Sequence, residues 1–123
     1  MPKQVLDVGN CGPDHKAISA ALMKHFAVDV YQADEASGAL AVLRREKIDL
    51  VLVNRKLDVD YSDGTEVIKQ IKAEPEFAKI PVMLITNHDE YQQSALSLGA
   101  DYGFGKLALN DPSTLQRLAK FLS

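Results

Sequence analysis

The chain of 123 residues holds a single cysteine, Cys11, and no tryptophan. One thiol excludes an intrachain disulfide, and a reducing cytoplasm is the expected location. Long apolar runs are missing as well. None approaches the roughly 20 residues that a membrane helix needs, so no membrane partner is expected. The start, MPKQVLDVG, lacks the long apolar segment of a secretory leader. Basic residues are in deficit, with a formal net charge of -3, which argues against nucleic acid as a partner. The densest basic stretch, LRREK with Arg44, Arg45 and Lys47, reads as a solvated helix end. No repeat, linker or low-complexity tract divides the sequence. One domain spanning 1–123 is expected, long enough to bury a core without disulfide or metal staples.

What the sequence does contain is alternation. Short apolar runs at 5–9, 28–32, 49–54, 81–86 and 101–105 read as strands. Between them apolar residues recur at helical spacing. The sets are Ile18, Ala21, Leu22 and Phe26; Ala36, Ala39, Leu40 and Leu43; Val67, Ile68 and Ile71; Tyr91, Ala95 and Leu98; and Leu115, Leu118, Ala119 and Leu122. Asp63 with Glu66, Asn87 with Glu90, and Asp111 before Pro112 are predicted helix starts. Five strand–helix units predict a doubly wound, five-stranded parallel sheet with helices on both faces. In such sheets ligands sit at the carboxyl ends of the strands.

Those ends carry GNCG at 9–12, Asn54 after DLVLV, Thr86, and Gly105-Lys106. The Gly9–Gly12 turn lacks the third glycine of a dinucleotide fingerprint and the lysine–serine pair of a P-loop. Nucleotide binding there is the weaker alternative to a tight structural turn. Cys11 is expected to be a small packed side chain. His15, His25 and His88 share no spacing with it that suggests a metal site or a triad.

Taken together, VLDVGNCGPD, DLVLVNRK, DGTEVIKQIK, IPVMLIT, LGAD and Lys106 resemble the receiver domain of bacterial two-component response regulators over essentially the whole chain. The resemblance implies a flavodoxin-like fold of strand order 2-1-3-4-5 and a signalling module, not an enzyme. It implies an aspartate phosphoacceptor at the end of the third strand and an acidic pair holding Mg2+ after the first. A hydroxyl after the fourth strand and a lysine after the fifth would contact the phosphoryl oxygens. Thr86 and Lys106 match the last two. The acceptor position is Asn54, and the acidic pair falls on Asn10 and Cys11, or on Gly9 and Asn10 with the alignment shifted by one, neither of which supplies a carboxylate.

Those substitutions remove the chemistry. Mg2+ is held through carboxylates and gives up water reluctantly, so binding at this site is expected to be weak or absent and no cofactor is expected. The amide of Asn54 has a delocalised lone pair and no charge with which to attack phosphorus. Asp58, Asp60 and Asp63 crowd the following loop, where turn capping is their usual role. Asp7 lies mid-strand, roughly 10 Å from the Asn10 end at about 3.3 Å per residue, and is expected to be too far away to serve the pocket; either it finds a buried partner or the first strand is less covered than the resemblance implies. Lys106, Thr86 and Asn54 are read either as a fixed hydrogen-bonded set or with Lys106 reaching to water.

The switch aromatic that the resemblance implies, three residues before the lysine, is Gly103. Of the flanking Tyr102 and Phe104, one ring is expected in the core and the other free for a partner. The expectation is a pseudo-receiver that acts through signalling proteins, such as a histidine kinase or an output domain, independently of phosphorylation. A small-molecule ligand is not expected. A genuine phosphorelay receiver with an unconventional acceptor is the rival reading.

Overall fold

In the computed structural model, which describes residues 2–123, five strands and five helices alternate along the chain. The strands are β1 (Lys3–Val8), β2 (Val28–Ala33), β3 (Leu50–Asn54), β4 (Val82–Ile85) and β5 (Asp101–Phe104). The helices are α1 (Gly12–His25), α2 (Ala36–Arg45), α3 (Gly64–Ala73), α4 (Asp89–Ser97) and α5 (Pro112–Leu122), with a 3-10 turn over Lys106–Ala108. All neighbouring strands run parallel in the order β2-β1-β3-β4-β5, as the flavodoxin-like expectation requires. No helix is long and apolar enough to cross a membrane among the described residues.

The central strand β3 explains the arrangement. Leu50, Val51, Leu52 and Val53 are each fully buried, because an apolar run without alternation must be covered on both faces. Residues of α2, α3 and α4, including Val42, Ile68 and Ala95, pack with Val51 and Val53 on one face. On the other, Ile18 and Leu22 of α1 and Leu118 and Leu122 of α5 meet Leu50 and Leu52. Burying one such side chain stabilises the fold by about 1.5 to 3 kcal/mol.

The helix starts differ in detail from expectation. The Asp63 side chain caps α3 by accepting from the Thr65 N–H at 2.9 Å, but Glu66 pairs with Lys69 at 3.0 Å instead of reaching back. Asn87 does not cap α4. His88 holds that position without a side-chain bond, and the Asn87 Oδ1 instead accepts from the Leu107 N–H at 3.3 Å. Asp111 holds the cap position of α5, where Pro112 begins the helix, and makes no capping bond. The α2 cap is Glu35, whose carboxylate accepts from the Ser37 and Gly38 amides.

One turn depends on glycine. Gly9 has φ +84°, and a Cβ there would sit 2.3 Å from the Leu57 side chain. Only a residue without Cβ adopts that φ at no steric cost. The turn lets the chain leave β1 directly under the β3–α3 loop, where the Asp58 N–H donates to the Gly9 carbonyl at 2.9 Å.

Candidate functional site

The sheet delivers β1, β3, β4 and β5 to one end, where Asn54 is the last residue of β3 and Asn10, Thr86 and Lys106 follow the last residues of β1, β4 and β5. Asn54, Thr86 and Lys106 line a common cleft of about 180 Å³. They are not bonded to one another. The Asn54 Nδ2 donates to the Lys56 carbonyl at 2.6 Å, the Thr86 Oγ1 accepts from the His88 N–H at 3.2 Å, and the Lys106 Nζ donates to Asp14 at 2.7 Å. The fixed set of three is therefore not formed, because each polar group finds a nearer partner, two of them backbone groups a couple of residues along the chain. Lys106 does not simply reach to water either.

Asp14, in the first turn of α1, is the acid that the motif comparison missed. It stands four residues beyond Asn10, about one helical turn past the expected acidic pair. The hydrogen bond from Lys106 holds its carboxyl below the ordinary value of 3.8, assisted by a hydrogen bond from Cys11 and opposed by partial burial. Cys11 itself is half-buried and free.

Asp7 requires a correction. Its side chain is fully buried, yet it does reach Asn10, whose Nδ2 donates to Oδ1 at 2.5 Å, and it finds a second partner in His15, whose Nδ1 lies 2.7 Å from Oδ2. Counting rise along the strand overlooked that Asn10 folds back after the Gly9 turn. Burial pushes the Asp7 carboxyl above 3.8, while the bonds from His15 and Asn10 and the charge of Lys106 oppose the shift. The Oδ1 of Asn10, itself 3% exposed, has no protein partner.

Two of the three acids of the β3–α3 loop are engaged locally. Asp60 accepts from the Ser62 amide and hydroxyl, and Asp63 from those of Thr65. Among the described residues no three His, Cys, Asp or Glu side chains are placed to hold a metal ion together.

At the other rim, Gly103 lies against β4 so closely that a Cβ would stand 2.2 Å from the Leu84 carbonyl oxygen. The β4–β5 register is irregular here: Met83 pairs with Asp101 and Ile85 with Phe104. Gln92 of α4, 2% exposed, fills the interrupted rung. Its Nε2 donates to the Leu84 carbonyl and its Oε1 accepts from the Gly103 N–H, both at 2.9 Å. The polar character of Gln92 hid it from an apolar helical count. Phe104 is buried against α5, whereas Tyr102 is half-buried, donating to Asp89 at 2.7 Å beneath the Arg117 guanidinium. The irregular register gives the two rings different surroundings, although residues two apart on a regular strand share a face.

The strand order and the placement of Thr86 and Lys106 define a CheY-like architecture. The profile of the response regulator receiver domain matches residues 13–118, and the chain belongs to that family. Asn10 and Cys11 lie just outside the matched residues. Among solved structures, the chain is similar to the chemotaxis protein CheY4 of Vibrio cholerae, with a TM-score of 0.81 and 22% identity over 99% of this chain and 100% of that one. It is similar to the signal receiver domain of a DNA-binding response regulator (merR) of Colwellia psychrerythraea 34H, with a TM-score of 0.80 and 23% identity over 96% of both chains. NtrX of Brucella abortus matches with a TM-score of 0.78 and 24% identity over 98% of this chain and 26% of that one. At these identities the structures establish a shared fold. No curated protein matches the chain. Receiver domains are signalling modules of two-component systems, and that is the class to which this chain belongs.

Proposed function

We propose that this chain is a pseudo-receiver, a docking module in two-component or related signalling that works in the cytoplasm through protein contacts and not through aspartyl phosphorylation. The observation that carries the reading is the chemistry of the donor set. Asn10, Cys11 and Asn54 offer no carboxylate, and the neighbouring carboxylates of Asp7 and Asp14 are engaged by His15, Asn10 and Lys106. Such a set does not fit Mg2+, which needs near-octahedral oxygen ligation with carboxylate help. Asn54 keeps the shape of an acceptor and turns its amide toward the Lys56 carbonyl. Its partners are signalling proteins of the histidine kinase or output-domain class. A partner can shift such a module only through differential affinity for its conformations. Tyr102, half-buried beside α4 and α5, marks the surface through which we expect the output contact, whereas Gly103 and Phe104, which the sequence offers for the same face, are buried and do not present themselves to a partner.

Incubation with acetyl phosphate and Mg2+, followed by intact mass measurement, tests the reading. No phosphoryl adduct is expected on the parent chain. Asn54→Asp alone should also remain unlabelled, because Asn10 and Cys11 still supply no metal ligand. Robust Mg2+-dependent labelling of that variant would overturn the account. Pull-down with a tagged chain identifies the partner.

A further inference from the structure

Away from the strand-end cleft, three side chains of β1 and α1 are joined in a line by hydrogen bonds. The buried Asp7 carboxylate meets the His15 Nδ1 at 2.7 Å through Oδ2, while its Oδ1 is occupied by the Asn10 amide. A carboxylate can only accept, so Nδ1 carries the ring proton and Nε2 presents its lone pair. That nitrogen lies 3.5 Å from the Ser19 Oγ, one turn further along α1. The spacing is at the outer limit of a hydrogen bond, as is common for a nucleophile and its base before substrate binds. A serine inside a helix ordinarily bonds back to a carbonyl of the preceding turn. Ser94 and Ser97 of α4 do so, onto the Glu90 and Ser94 carbonyls. Ser19 faces the imidazole instead. Asp7 is sealed from water, but the His15 side chain is 21% exposed and Ser19 is half-buried, so the outer two members are open to a reactant. Helical spacing sets two exposed neighbours beside the hydroxyl, Lys16 three residues before it and Met23 four after.

We propose that Asp7, His15 and Ser19 form a nucleophilic relay in which Ser19 accepts an acyl group from a small activated ester. Burial and bonding assign the roles: Asp7 is a positioning residue for the ring, His15 is the general base, and Ser19 is the nucleophile. The Ser19 Oγ bonds the acyl carbon as its proton passes to the His15 Nε2. The ester C–O bond then breaks, and the alcohol oxygen leaves with its electron pair and takes the proton from His15. Water completes the cycle by attacking the acyl carbon and giving a proton to Nε2, from which the departing Oγ is reprotonated. The ammonium of Lys16 and the side chain of Met23 give the oxyanion a cation, and the acyl chain an apolar neighbour, within one turn of the hydroxyl. This activity is independent of the reading of Asn54.

A fluorophosphonate probe, which forms an Oγ–P bond with loss of fluoride, tests the proposal, with adducts mapped by peptide mass spectrometry on the folded and the urea-unfolded chain. Labelling is expected at Ser19 of the folded chain, about a hundredfold faster than at Ser94 or Ser97, and should be lost on unfolding. Ser19→Ala leaves the Asp7–His15 bond in place and should abolish both that adduct and the burst of p-nitrophenolate from p-nitrophenyl acetate. His15→Ala should slow labelling of Ser19 about a hundredfold, and added imidazole should restore part of it, which a merely structural histidine would not allow. Long-range proton–nitrogen NMR of the His15 ring in alkaline buffer reads the role of Asp7: the Nδ1–H tautomer is expected in the parent, with Nε2–H gaining population in Asp7→Asn. Ser19 labelled no faster than Ser94 and Ser97, equal labelling after unfolding, or an Nε2–H tautomer in the parent would each overturn the proposal.

Discussion

Gln92→Leu is the sharpest test of how α4 is held to the sheet. The substitution roughly preserves side-chain size in a site that is 2% exposed, but it deprives the Gly103 N–H and the Leu84 carbonyl of their 2.9 Å partners. A buried backbone group left without a partner costs about 1 to 3 kcal/mol. Two such groups give about 2 to 6 kcal/mol, offset by the amide that no longer has to be desolvated, so a net loss of about 2 to 3 kcal/mol is expected. In urea the midpoint should fall with the slope unchanged. Hydrogen exchange at the Gly103 amide should accelerate more than in the β1–β3 core, since the loss is local to the β4–β5 rung. Gln92→Glu is the companion variant: it keeps an acceptor for Gly103 but faces an oxygen toward Leu84 and buries a charge. It should cost more at neutral pH and recover part of the loss as acid protonates it. A Gln92→Leu protein within about 0.5 kcal/mol of the parent, with Gly103 exchange unaltered, would refute the assignment of Gln92 as the replacement rung.

The remaining predictions concern the two displaced acids. Burial raises the Asp7 pKa in the fold, against the bonds from His15 and Asn10 and the charge of Lys106, so the native state holds a proton that the unfolded chain has already lost. The corresponding stability is complete below 3.8 and is lost as pH rises through the raised folded value. Asp7→Asn should flatten that part of the stability profile and cost no more than about 1 kcal/mol at neutral pH, because its new N–H can meet the partnerless Oδ1 of Asn10. Urea unfolding across the acid range checks this, and an unchanged slope in the variant would count against the assignment. Asp14 has the opposite sign. Its pKa is lowered by Lys106, so its contribution is present above 3.8 and lost as pH falls through the lowered folded value. Both partners are at least one-third exposed, so a double-mutant cycle with Asp14→Asn and Lys106→Met should give a coupling below about 1 kcal/mol that weakens with added salt.

The fold was legible because its signals are local and repeated. The uninterrupted run Leu50–Val53 requires cover on both faces, and the helical spacing of Ile18 with Leu22 and of Val67 with Ile71 supplies it from opposite sides. The positions of Asn54, Thr86 and Lys106 followed from strand ends. Their bonding did not, because an amide or hydroxyl takes the nearest geometry available, and turn geometry is absent from residue spacing. Asn87 shows the same limit: as a cap candidate it was sound, but the close approach of Gly105, whose Cβ would stand 1.8 Å from the Asn87 Oδ1, let it serve Leu107. Asp14 and Gln92 were missed for different reasons. Asp14 carries no signal beyond that of an acid in the first turn of a helix, and Gln92 interrupts an apolar stripe that a count of hydrophobic positions cannot read through.

The displaced acids also account physically for Lys106. A lysine facing only neutral amides at the mouth of a sheet would gain little there. In this chain its ammonium bonds Asp14 in the first turn of α1 and lies near enough to Asp7 to influence that carboxyl. Negative charge has thus moved from the cleft lining to its edge and to the layer beneath. That arrangement ties β5 to α1 electrostatically while leaving Asn54 and Thr86 with no charge to coordinate a metal. Restoring acids at Asn10, Cys11 and Asn54 would therefore not simply rebuild a typical receiver. The new carboxylates would compete with Asp14 for Lys106 and crowd Asp7, and like charges at such range disfavour ionisation. A triple variant should bind Mg2+ more weakly than its ligand count suggests, until Asp14→Asn releases the lysine and Asp7→Leu, with His15 replaced by an apolar residue, removes the acid beneath.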